Sequence, residues 1–143
     1  MDNWNNLTYP AKLAAWKELR DRIKDNSLDV QLAEIVKFFA QFPFGKRMID
    51  FYTPSTWPTP WDLVNYDKHC YNTISVLIYY TCRFLNINDI EMYIIDDNAD
   101  IFIVPVIGGK YMLNYVIGEV MSLEDINEYR IISILKNTDI TQY

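Results

Sequence analysis

A chain of 143 residues, 50% hydrophobic and 15% aromatic, has the length and apolar content for a buried core, which excludes a disordered polymer. Its net charge of −6 excludes binding to nucleic acid through phosphate neutralisation, so no direct nucleic-acid partner is expected. The longest apolar run, ISVLIYYTC at 74–82, is far short of the roughly 20 residues of a membrane span, so no membrane partner is expected either.

The opening MDNWNNLTYP is polar and leads into a helix rather than a secretory signal. One soluble, non-secreted domain over 1–143 is the expectation, with a helical N-terminal part at 1–45. The first helix starts near Pro10, with Thr8 or Tyr9 at its cap and proline in the first turn. Leu13, Trp16, Leu19 or Arg20, and Ile23 recur at helical spacing. Lys17, Arg20, Arg22 and Lys24 alternate with Glu18, Asp21 and Asp25 and read as a solvated face. Ser27 caps a second helix whose apolar stripe is Leu28, Leu32, Ile35, Val36 and Phe39.

The segment 42–60, FPFGKRMIDFYTPSTWPTP, is proline-punctuated and rich in rings. Phe42, Phe44, Phe51, Tyr52 and Trp57 are candidates for a docking surface, because proline-stiffened loops lose little entropy on binding. Trp57, between Pro54 and Pro58, is expected at the surface and Trp61 in the core. Thr59-Pro60-Trp61-Asp62 reads as a capped helix start. A longer, centrally buried helix is expected from about His69 to Leu85, with Ile74, Leu77, Ile78, Thr81 and Leu85 on one face.

The second half changes period. IEMYIID (90–96), IFIVPVI (101–107) and KYMLNYVI (110–117) are β-rich runs, and Gly108-Gly109 reads as a two-residue hairpin turn. The apolarity of 101–107 predicts a strand covered on both faces, with Pro105 marking a bulge or an edge. Ser122 caps a brief helix, and YRIISIL (129–135) is either helical or a closing strand. The fold class is therefore α+β: N-terminal helices and a central helix on a small antiparallel meander, with 57–120 as its core.

Cys70 and Cys82, twelve residues apart on one helix, would be separated by about 18 Å and read as reduced thiols rather than a bridge. Asp96-Asp97-Asn98-Ala99-Asp100 has the opening spacing of a calcium loop, but positions 101 and 107 hold Ile where the loop needs Gly and Glu. A polar turn accounts for these residues, and neither a metal nor another cofactor is expected.

Cys70, in the first turn of a central helix that feeds a meander, resembles the nucleophile of the transglutaminase-like and papain-like family core. Its helix-terminal place is one that favours a thiolate. The resemblance is topological, covers 57–120, and implies a histidine on the second strand and an Asp or Asn on the third. Asn114 matches the orienting residue. IFIVPVI holds no histidine, and the chain's one histidine, His69, diverges from Cys70 by about 100° if both are helical. Cys70, His69 and Asn114 are therefore carried as vestigial candidates, with Cys70 read first as a small buried hydrophobe.

In general character, with heavy use of Ile, Asn, Asp, Tyr and Lys, the chain is similar to small virion proteins of large tailed bacteriophages, including crAss-like phages. That resemblance implies a non-enzymatic head–tail connector, neck or tail component. It would reside in the virion or host cytoplasm, and its partners would be other virion or assembly proteins or further copies of itself. The alternative is a transglutaminase-like or papain-like cysteine hydrolase or acyl-transferase using Cys70.

Overall fold

The structure is a computed structural model and describes residues 4–46 and 49–143. Residues 1–3 of the polar opening and 47–48 of the 42–60 segment lie outside the described residues. Helix α1 spans Tyr9–Ile23 and α2 spans Leu28–Ala40. Thr8 begins α1 as expected: its Oγ1 accepts the Ala11 amide at 3.3 Å. Trp16, Leu19 and Ile23 on α1 pack with Leu32, Ile35, Val36 and Phe39 on α2, whereas Leu28 stays exposed. The alternating charges form exposed pairs, Lys17 with Asp21 at 2.7 Å and Arg22 with Glu18 at 3.4 Å.

Helix α3, Pro60–Asn65, opens with Thr59 Oγ1 accepting the Asp62 amide at 3.2 Å. Helix α4, Tyr71–Phe84, runs through the centre, and every residue from Thr73 to Cys82 is buried. It begins two residues later than expected. The cause is His69, whose backbone is held extended: its N–H donates to Pro43 O and its O accepts the Gly45 amide, both at 2.9 Å.

Five strands follow: β1 (Ile90–Asp96), β2 (Ile101–Ile107), β3 (Tyr111–Leu113), β4 (Val120–Ser122) and β5 (Arg130–Leu135). They form one antiparallel sheet in the order β4-β3-β2-β1-β5. The fold is α+β. Helix α4 packs on one face, over β2 and β1. Ile103 and Ile107 point into that layer, while Val104 and Val106 join Tyr93, Ile95, Met112 and Ile126 on the other face. Both faces of β2 are covered, as its apolarity predicts.

Several local expectations are corrected. Pro105 marks neither an edge nor a bulge, since β2 is interior and its register with β1 is unbroken. Proline is tolerated because the ladder to β3 contains only the pairs Val106–Met112 and Ile107–Tyr111 and stops before residue 105. The turn does centre on Gly108 and Gly109, at φ 60 and 63. Lys110 joins them, so the loop holds three residues and Ile107 stands opposite Tyr111. The third strand ends at Leu113 because Asn114 turns to φ 67. Residues 129–135 supply the closing strand β5, and the cap at Ser122 starts only a 3₁₀ turn, Leu123–Asp125.

The two tryptophans exchange the roles expected of them. Trp57 is 6% exposed and donates its Nε1 to Asp50 O at 3.0 Å, folding back under its own loop. Trp61 is 38% exposed, with its ring edge-on to Tyr143 at 5.4 Å. Prolines on either side stiffen the chain around Trp57 without choosing the face from which its ring projects.

Candidate active site at the start of helix α4

Cys70 is the N-cap of α4, in extended backbone at φ −103 and ψ 178. Its N–H donates to Thr73 Oγ1 at 3.0 Å and its side chain faces the Thr73 amide, closing a capping box. The Thr73 hydroxyl in turn donates to Cys70 O at 3.1 Å and stands 3.8 Å from Cys70 Sγ. On the other side of the same hydroxyl, at 3.3 Å, lies Nδ1 of His69. The divergence expected of two consecutive helical residues does not apply, because neither belongs to the helix proper. Thr73 Oγ1 is within reach of both side chains.

The Cys70 side of this arrangement opens into a cavity of about 350 Å³. Tyr71 and Asn72 line its helical wall, Asp97 and Asp100 of the β1–β2 turn its rim, and Phe102 and Tyr115 the far side. Phe102 stands on β2, the strand on which the family pattern carries histidine, and its ring centroid is 6.0 Å from that of Tyr115. Asn72 Oδ1 accepts the Ile103 amide at 3.0 Å, which ties the first turn of α4 to β2 and leaves the side-chain NH₂ of Asn72 as a donor. Two backbone amides, those of Asp100 and Ala99, bond the Asp97 carboxylate and hold it below its ordinary range, so the rim is anionic.

His69 is fully buried and does not line the cavity, with Phe42 and Tyr66 against its ring at 5.2 Å and 6.0 Å between centroids. Asn114 is buried at the end of β3 and donates Nδ2 to Tyr71 O at 3.0 Å and to Ser75 Oγ at 2.9 Å. It orients the helix that carries Cys70. Cys82 is fully buried, and burial pushes its thiol up to about 12; Cys70 is half-buried. Among the docking candidates, Phe42 and Trp57 are buried, Phe51 is half-buried, and Phe44 and Tyr52 are exposed.

Thr73 and Asn72 are the site residues that sequence reasoning missed. Cys70-x-x-Thr73 has capping-box spacing, and reading it as a helix start would have placed both. The acidic turn behaves as a turn. Asp96 Oδ1 accepts the Asn98 amide at 2.9 Å, and Asp97 Oδ1 accepts those of Ala99 and Asp100 at 2.9 and 2.8 Å. Among the described residues, no helix is long and apolar enough to cross a membrane.

No family model and no curated protein sequence matches the chain. Solved structures do. Legionella pneumophila LapG superposes with a TM-score of 0.74 at 13% identity, over 90% of this chain and 74% of that one. Its EGTA-treated form gives 0.72 at 12% identity, over 90% and 77%. Its calcium-bound form gives 0.72 at 12% identity, over 92% and 81%.

The likeness overturns the expectation of a non-enzymatic bacteriophage connector, neck or tail protein, together with its viral and virion attributes. The matched structures are of a bacterial protein rather than a virion component. At this level of identity the likeness fixes the architecture alone: the chain has a transglutaminase-like fold.

Proposed function

We propose that the protein is a cysteine-dependent hydrolase or acyl-transferase with Cys70 as its nucleophile. The observation that carries this reading is the position of Cys70, at the N-cap of a buried 14-residue helix and in the wall of a cavity large enough for an acyl group. The attacking sulfur lies at the positive end of the helix and beside the Thr73 amide. The thiolate adds to a carbonyl carbon, the bond to the leaving group breaks, and a thioester forms; water or an amine then takes the acyl group. Asn72, which lines the same cavity and whose Oδ1 is engaged by the Ile103 amide, offers its NH₂ as a side-chain donor for the developing oxyanion. The anionic rim at Asp97 and Asp100 favours uncharged or cationic acyl groups over anionic ones.

One matched LapG structure is calcium-bound. Among the described residues here, no group of three or more His, Cys, Asp or Glu side chains could hold a metal ion. The carboxylates of the acidic turn bond its own amides and, for Asp96, Arg130 at 3.2 Å. These residues do not fit a calcium ion, and the reaction is derived without one.

The test is hydrolysis of activated acyl esters by the full chain and by Cys70→Ala. Turnover that disappears in Cys70→Ala, with an unchanged melting temperature, supports the reading. Equal rates in the two proteins refute it.

A further inference from the structure

We infer that Thr73 connects the Cys70 thiol to the His69 imidazole, its hydroxyl relaying a proton between them, so that His69 serves as base without entering the cavity. The inference rests on Cys70 being the nucleophile. Its geometry is a chain of three side chains within one turn: Sγ to Oγ1 at 3.8 Å, then Oγ1 to Nδ1 at 3.3 Å. A capping role explains why Thr73 Oγ1 bonds the Cys70 amide and carbonyl. It does not explain why the same hydroxyl also faces a ring nitrogen, nor why a histidine is fully buried beside it.

The transfer balances without a co-reactant. As the Cys70 S–H bond breaks, that proton binds Oγ1 of Thr73. The proton Oγ1 already carries, which in the resting cap is donated to Cys70 O, turns to Nδ1 of His69 and passes to it, leaving a thiolate, an intact threonine and an imidazolium. When the leaving group departs, the same path returns the proton. The relay requires the resting imidazole to carry its proton on Nε2 and to present Nδ1 as acceptor. Aromatic contacts from Phe42 and Tyr66 suit the cationic ring. The titratable groups facing the thiol are Asp97 and Asp100 from the β1–β2 turn, with Tyr71 and Tyr115; Tyr66 faces the imidazole.

The experiment is the rate of Cys70 alkylation by iodoacetamide as a function of pH, read by intact mass. It compares the full chain with Thr73→Val, Thr73→Ser and His69→Gln. The relay predicts a limb in the profile that follows imidazole titration. Thr73→Val and His69→Gln should both lose that limb and react about tenfold or more slowly near neutral pH. Thr73→Ser should restore both limb and rate. Thr73→Asn, which keeps an acceptor for the Cys70 amide but has no hydroxyl, should behave as Val does and serves if Thr73→Val does not fold. A Thr73→Val or Thr73→Asn profile that superimposes on the parent, or a Ser variant as slow as either, overturns the relay. Alkylation needs no substrate, so an intact limb in a chain that hydrolyses no ester would retain the relay and discard the hydrolase.

Discussion

Asn114, turning at the end of β3, donates its Nδ2 to the hydroxyl of Ser75 on α4 at 2.9 Å, which bolts the sheet to the helix that carries Cys70. A second bond from the same nitrogen reaches Tyr71 O at 3.0 Å, one residue past the nucleophile. The family pattern puts an orienting residue on this strand, and here the residue orients a helix terminus.

Two effects therefore meet at Asn114, a left-handed backbone at φ 67 and a pair of hydrogen bonds, one buried and one partly buried. Asn114→Ala should destabilise the protein by about 2–4 kcal/mol. Asn114→Gly removes only the side chain and should recover about 1 kcal/mol of that loss. Urea unfolding of the two variants separates the terms. Equal stabilities would show that the backbone at 114 carries no strain.

At the β2–β3 turn the two glycines differ in their surroundings. A Cβ on Gly109 meets nothing within 4 Å, whereas one on Gly108 comes to 3.3 Å from Asp89 Oδ2. Gly109→Asn should be close to neutral, because asparagine tolerates positive φ. Gly109→Val should cost about 1–3 kcal/mol through backbone strain alone. Thermal unfolding checks this, and a Val variant as stable as Asn would refute the turn geometry.

The local signals in the sequence were legible and the long-range ones were not. Thr8 and Thr59 mark helix starts through chemistry contained within four residues, and Gly108-Gly109 marks a turn in the same way. The return of β5 to pair with β1 joins segments far apart in sequence, so 129–135 reads equally as helix or strand. The short pairing of Val120–Ser122 with β3 was missed altogether. At the site, Cys70 and Asn114 were legible as residues and the connection to His69 was not. That connection depends on α4 starting at Tyr71, which the bonds of His69 to Pro43 and Gly45 enforce. No periodicity within residues 69–85 records those bonds.

Burial separates the two thiols chemically. With the Cys82 thiol pushed up to about 12 and wholly enclosed, iodoacetamide should add one carbamidomethyl group to the native protein, at Cys70, and a second only after denaturation. Peptide mapping reads the sites. Labelling of Cys82 at the same rate as Cys70 in the native state would show that the α4 core is not closed.

Asp97 links the rim of the cavity to acid stability. Backbone amides depress its folded-state value below the unfolded one, so its contribution is present above the ordinary carboxylate range and is lost as pH falls through the folded value. Asp97→Asn keeps a carbonyl oxygen for the turn and removes the titration. Melting temperature should therefore fall less steeply below about pH 4 in the variant than in the parent. Identical acid limbs would refute a stabilising role for the carboxylate.

The central claim is that Cys70 takes an acyl group. Intact-mass spectrometry of the full chain, quenched in acid shortly after mixing with an activated acyl ester, tests it most directly. The account predicts one acyl increment, mapped to Cys70, labile to hydroxylamine as a thioester is, and missing from Cys70→Ser under the same quench. An unmodified protein, or an increment that persists in both Cys70→Ser and Cys70→Ala, would contradict it.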